Sequence, residues 1–164
     1  MKRRLFIFTA LLAPLAACSN KFRTYDGPEV TRIVVMKDDR RMYLLNDKDI
    51  LRAFEIELGF APEGEKQVEG DGKTPEGRYF IDRRNPNSSF HLSLGISYPN
   101  QFDIAEASAL GQSPGGDIFI HGQPNKTGPR TEENWTAGCI AVTNREMEDI
   151  YAMVRNGTPI DIFP

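Results

Sequence analysis

Cysteine, histidine and tryptophan are scarce in this 164-residue chain, which holds Cys18 and Cys139, His91 and His121, and Trp135. Two cysteines cannot build a disulfide scaffold, and two histidines with no compact Cys/His spacing give no structural zinc motif. A metal centre would have to gather His91, His121 and Cys139 from distant positions; none is expected, and no motif implies a cofactor. Basic charge is not in excess either: 20 Lys and Arg stand against 23 Asp and Glu, which argues against nucleic acid as a partner. No apolar run reaches the roughly 20 residues that a bilayer-spanning helix needs. Repeats and low-complexity tracts are missing too, so the length and 40% apolar content fit one domain with its own core.

The longest apolar run, Leu5 to Ala17, contains Pro14 and follows Lys2, Arg3 and Arg4. Basic residues ahead of a short apolar stretch are the pattern of a secretory signal peptide, here residues 1–17. Leu15-Ala16-Ala17-Cys18 resembles a bacterial lipobox, which makes Cys18 the lipidation site and residues 18–28 a lipidated N-terminus with a short polar tether. Removing residues 1–17 leaves 17 basic against 23 acidic residues, a net charge of −6. Ser19 points to the outer membrane by the sorting habit of enterobacterial lipoproteins. The expected location is therefore the periplasmic side of the cell envelope, with soluble periplasmic secretion as the alternative. Cys139 is then a lone thiol in an oxidising compartment, which calls for a reason; an inert buried cysteine is the competing explanation.

Residues 29–164 read as a mainly β domain. Thr31–Asn46 suggests a hairpin, with β-branched Ile33, Val34 and Val35, a charged turn at Asp38–Arg41 and a return through Tyr43-Leu44-Leu45. Ile50, Phe54, Ile56 and Leu58 share one parity over a predicted strand, Arg52 being the exception. Further strands are predicted at 78–82, at 89–97 with Phe90, Leu92, Leu94 and Ile96 on one face, at 117–120 and at 159–163. Short helices are expected at 103–110 and 145–155. In the second, Met147, Ile150, Tyr151 and Val154 keep helical spacing, Thr143 and Glu146 can form a capping box, and Gly157 supplies the stop.

Chemistry concentrates near Cys139. Gly138 lets the backbone approach a ligand closely and leaves nearby amides free to point inward. A free thiol has a pKa of about 8.5, so attack on a carbonyl calls for a neighbouring histidine. His121 ends an apolar strand where it gives way to a loop; His91 is either a cleft contact or a half-exposed sheet residue. Lys73, Thr74, Pro75 and Gly77 suit a hairpin turn first of all.

Taken together, Ile118-Phe119-Ile120-His121-Gly122, Gly138-Cys139-Ile140, Thr143-Asn144 and Gly72-Lys73-Thr74-Pro75-Glu76-Gly77-Arg78-Tyr79 resemble the YkuD-type L,D-transpeptidase catalytic family. Phe90 to Asn100 and Gly138 to Asn144 look like its YafK-type branch. Two positions depart from the common pattern, which has histidine where this chain has Ala137 and arginine where it has Ala141. The resemblance implies a single β-sandwich or barrel domain with one or two short helices over residues 29–164. It implies catalytic Cys139, His121 and Gly138, with His91, Gly122, Lys126 and Arg130 as substrate contacts; Lys126, Arg130 or Lys73 is the candidate to replace the missing arginine, and plain solvation is the competing explanation of these side chains.

It further implies attack by Cys139 on a carbonyl of a peptidoglycan stem peptide and a thioester intermediate. An amine acceptor would then make a crosslink or attach an envelope lipoprotein; water would make the chain an L,D-carboxypeptidase or amidase. A non-catalytic peptidoglycan-binding lipoprotein is the reading of another class, and a general cysteine endopeptidase a third.

Overall fold

A computed structural model describes residues 20–164, so the signal peptide and Cys18 lie outside the described residues. Its elements in chain order are β1 (Arg32–Met36), β2 (Arg41–Asn46), β3 (Asp49–Glu55), β4 (Gly77–Asn85), β5 (Ser93–Ile96), α1 (Gln101–Ala109), β6 (Phe119–His121), β7 (Ile140–Ala141), α2 (Asn144–Met153) and β8 (Pro159–Phe163). The predicted mainly β architecture with two helices is what the structure shows.

All eight strands form one sheet in the order β3-β2-β1-β8-β4-β5-β6-β7. The hairpin β1–β2 is antiparallel, with Ile33 and Val35 facing the core beside Met42 and Leu44, as period-two alternation requires. The last strand, β8, slots between the first and the fourth, parallel to β1 and antiparallel to β4. Asp161 of β8 is clamped there by the guanidinium groups of Arg78 and Arg32, which hold its carboxyl below the usual carboxylate range. Past β3 the chain reaches the far edge: Glu57 pairs with Ala141 and Gly59 with Thr136. These bridges bring the two edges together and curl the sheet into a half-barrel around Leu58, Ile81, Leu94, Ile120 and Ile140.

Two strand expectations change. The predicted strand at 50–58 ends at Glu55, and Ile50 is 60% exposed rather than inward. The cause is a register shift: Leu45 faces Ile50 while Leu44 faces Arg52, so one extra residue turns Ile50 to the opposite face from Phe54. The predicted strand at 89–97 shrinks to 93–96, and all four residues are buried. With α2 packed against β5, the sheet is covered there on both faces, and polar Ser93 is enclosed along with Leu94.

Both helices start with capping boxes. In α2 the Thr143 side chain accepts the Glu146 amide and Glu146 returns to the Thr143 amide; in α1 Asn100 and Asp103 do the same. The inner face of α2 carries Met147, Ile150, Tyr151 and Met153, with Val154 buried at its end.

The N-terminal segment does not stand off as a tether. Lys21 Nζ donates to the carbonyls of Pro86 (2.6 Å) and His91 (3.2 Å), and Arg23 grips Glu148 and Asp149 of α2 at 2.7 and 2.6 Å.

Candidate active site

The site is built where two short strands run side by side. In the parallel pair β6–β7, Ile120 faces Ile140 and His121 faces Ala141. Residues two apart on a strand share a face, so Phe119 and His121 project opposite to Ile120, and Cys139, just before β7, projects with Phe119. Strand spacings of about 4.8 Å and a rise of about 3.3 Å per residue put His121 and Cys139 about 8 Å apart at their Cα atoms, within side-chain reach. The Cys139 thiol is seated by its neighbours: it accepts the Phe119 amide at 3.4 Å and donates to the Asp117 carbonyl at 3.5 Å.

Gly138 shows why this loop needs glycine. Its φ is +123°, and a Cβ there would lie 2.5 Å from the Lys73 carbonyl oxygen. The Lys-Thr-Pro turn therefore packs directly on the residue preceding Cys139. That turn is itself fixed by two buried lysines, which the sequence reading did not single out. Lys37 Nζ donates to the Gly64 and Thr74 carbonyls and pairs with Glu76 at 2.6 Å; Lys66 pairs with Asp71 at 2.9 Å. Asp71 in turn accepts the Gln67, Val68 and Lys73 amides. Nearby Glu65 accepts the Glu76 amide, and burial pushes its carboxyl up to about 7.

Thr136 ties the nucleophile loop to itself. Its Oγ1 accepts the Gly138 amide at 3.1 Å and donates to the Cys139 carbonyl at 2.7 Å. The Gly138 N–H is thus committed, while the Cys139 N–H makes no hydrogen bond among the described residues and is the amide free to bind an oxyanion.

His121 is 4% exposed. The Phe90 ring centroid lies 4.5 Å from that of its imidazole, and the Trp135 ring packs edge-on with centroids 5.5 Å apart. Its Nδ1 bonds the Gly122 carbonyl at 2.7 Å; a carbonyl only accepts, so Nδ1 carries the proton and Nε2 is left as the base. Burial holds the imidazole below its ordinary pKa and the Cys139 thiol above its own. Both shifts favour the neutral forms, the thiol and the imidazole.

A cleft of about 670 Å³ opens over this pair, lined among others by Phe90, Ser93, His121, Arg130, Trp135 and Cys139. Of the residues expected at the site, Cys139, His121 and Arg130 line the cleft and Gly138 underlies it. Gly122 is buried beneath, where a Cβ would meet the Asn144 side chain at 2.6 Å. Lys126 is exposed on the loop and does not line the cleft. His91 has left the strand with φ +68° and bonds Glu148 at 3.0 Å. Ser93, Thr136 and Gln123 went unmarked in the sequence. Gln123 bridges the Val142 carbonyl to the Arg130 amide and so holds the arginine-bearing loop over the cleft. No group of three His, Cys, Asp or Glu side chains able to share a metal ion occurs among the described residues.

A thiol and a buried imidazole in one open cleft, with a free amide at the thiol-bearing residue, are groups that could support nucleophilic catalysis. The chain belongs to the L,D-transpeptidase catalytic domain family YkuD, whose model matches residues 30–162. Among curated proteins it is similar to YafK of Escherichia coli strain K12, with 31% identity over 93 residues, 56% of this chain and 32% of the relative. Among solved structures it is similar to the helical cell shape determining protein Pgp2 from Campylobacter jejuni, at 31% identity and TM-score 0.62 over 84% of this chain and 49% of that one. The Mycobacterium tuberculosis L,D-transpeptidase 1, at 14% identity and TM-score 0.53 over 83% of this chain and 62% of that one, shares the fold. The chain spans about a third of the curated relative's length and about half of Pgp2.

Proposed function

We propose that this chain is a cysteine-dependent acyl transferase acting on peptidoglycan stem peptides. The observation that carries the reading is the seating of the Cys139 thiol beside His121 in the cleft of an L,D-transpeptidase catalytic domain.

In the proposed reaction the Cys139 sulfur adds to the carbonyl at the L-centre of a stem-peptide diamino acid while its proton passes to His121 Nε2. The oxyanion takes the Cys139 amide. Collapse breaks the bond to the terminal D-residue, whose amine leaves with the proton from His121, and a thioester remains. An acceptor amine then displaces the thiol and forms the crosslink; water in its place gives hydrolysis. Arg130, which lines the cleft, is suited to a substrate carboxylate. Holding both groups neutral until substrate arrives suits an open cleft, because a standing thiolate would be exposed to oxidation.

The proposed address is the periplasmic side of the envelope, with Cys18 acylated after loss of residues 1–17. Three residue-to-residue steps lead from Cys18 to Lys21, a reach of at most about 11 Å. Lys21 touches the cleft-bordering segment 86–91, so a lipid on Cys18 would keep the site close to the membrane. Pgp2 is a helical cell shape determining protein, and a part in cell shape is proposed for this chain as well.

Intact-mass spectrometry of the chain mixed with a stem tetrapeptide tests the reading. The expected result is an adduct of the tripeptide acyl mass on wild type, with release of the D-residue, and none on Cys139→Ala. Absence of both adduct and release would overturn it.

A further inference from the structure

Beyond the catalytic pair, the N-terminal segment 20–25 is fastened to the wall of the cleft. Lys21 Nζ closes on the Pro86 and His91 carbonyls, the two ends of a segment whose Ser88, Ser89 and Phe90 line the cleft. Phe22 rests against Tyr151 of α2, ring centroids 6.3 Å apart. Arg23 holds one oxygen of Glu148, whose other oxygen bonds His91 Nε2 at 3.0 Å. From the opposite side Asn125 secures the same segment: its amide donates to the Ser89 carbonyl, its Nδ2 to the Ser88 carbonyl, and its Oδ1 accepts the His91 amide. His91 sits there at φ +68°, a backbone state that a non-glycine residue keeps only where its surroundings impose it. The next residue back is Phe90, whose ring covers His121.

We propose that residues 20–25 are a strap that positions the cleft wall, with Lys21 and Arg23 as positioning residues that keep Phe90 closed over His121. The chain of contacts is continuous: Arg23 to Glu148, Glu148 to His91, His91 by one peptide bond to Phe90, and Phe90 to His121. The fastening is long-range, since 65 and 70 residues separate Lys21 from its two acceptors and 125 separate Arg23 from Glu148. No local regularity of the sequence requires it. A segment that only led away from the domain would have no cause to bridge both ends of a cleft wall. The inference rests on the proposed function for its effect on turnover, and not for its effect on the imidazole.

Two variants of the full chain test it: the double substitution Lys21→Glu with Arg23→Glu, which sets carboxylates against Glu148 and Asp149, and an internal deletion of residues 20–25. Release of the strap in the first is checked by chymotryptic cleavage at Phe22. The titration of His121, followed by NMR and assigned with His121→Gln, reads the closure of Phe90 directly. Its titratable and charged companions in the cleft, Cys139, Asp117 and Arg130, are the same in all chains. With the wall loosened, water reaches the ring and its midpoint rises towards the ordinary value of about 6.5. The KM for a stem tetrapeptide rises several-fold while kcat falls less, because Cys139 keeps its own supports. A strap with only a structural role would lower the unfolding temperature and leave both readings in place. An unchanged His121 midpoint in the deletion variant overturns the proposal. If no stem peptide is turned over by any chain, the imidazole midpoint still decides it, and that failure belongs to the proposed function alone.

Discussion

Replacing Gly138 by alanine asks the most of this architecture for the smallest chemical change. The new methyl would meet the Lys73 carbonyl oxygen at 2.5 Å, and the residue would have to keep φ at +123°. The backbone state costs about 1–3 kcal/mol for a residue with a side chain. Overpacking against a backbone atom that cannot swing aside adds about 1–3 kcal/mol. Together these give about 2–6 kcal/mol, which for a domain of this size lowers Tm by about 4–24 °C. Relief comes only by moving the Lys73 turn or the Gly138 peptide, and the latter carries Cys139 with it. A displacement near 1 Å at a nucleophile costs roughly 100-fold in turnover. Differential scanning calorimetry and turnover of a stem tetrapeptide read the two effects. Gly157→Ala is the control: its φ is +89° with nothing within 4 Å, so it carries the backbone cost without the clash. A Gly138→Ala chain that melts no lower than Gly157→Ala and keeps wild-type turnover would refute the packing argument.

Iodoacetamide should alkylate Cys139 along a single alkaline limb, because burial raises the thiol and lowers His121. A plateau of reactivity between about pH 5 and 8 would show a preformed thiolate–imidazolium pair instead. The buried His121 also makes stability fall as pH drops below about 6.5, where the unfolded chain takes up a proton that the folded one refuses. Glu65 works with the opposite sign: its folded pKa of about 7 exceeds the ordinary value of about 4.5, so its contribution is full below about 4.5 and is lost as pH rises towards 7. Glu65→Gln keeps the acceptor for the Glu76 amide and should stabilise the chain at pH 8 by about 1 kcal/mol, a few °C in a melt, after allowance for solvent screening. A lower melting temperature at that pH would contradict the assignment.

Local regularities made part of the fold legible. The β1–β2 hairpin follows from alternation around a charged turn, and α2 from its apolar spacing and its Thr143–Glu146 cap. What stayed hidden depends on partners far along the chain. Nothing near β8 says that it inserts between β1 and β4, and β7 is two residues long, too short for any periodicity. The Leu44/Leu45 register shift reverses Ile50 against an alternation that predicted it inward. Residues 89–97 alternate as if one face were wet, but α2 covers β5 and His91 is pulled out of the strand by Asn125, Lys21 and Glu148.

At the site, scarcity did much of the work. One lone thiol after a glycine and one histidine at a strand end pointed to Cys139 and His121, and the structure places both in one cleft. The supporting residues carry no such mark. A threonine three residues before a cysteine, a glutamine after a His-Gly pair and a lysine ending a strand are ordinary in sequence. Thr136, Gln123 and Lys37 become informative only when their polar atoms are seen closing on backbone groups of the nucleophile loop, the Arg130 loop and the Lys-Thr-Pro turn.

The most direct test of cysteine acyl transfer on stem peptides is mass spectrometry of muropeptides, free and lipoprotein-linked, after incubation with wild type beside Cys139→Ala. The account predicts new crosslinks, trimmed stems or released lipoprotein with wild type alone, crosslinks marking transfer and the others hydrolysis. Identical muropeptide pools in the two samples would contradict it.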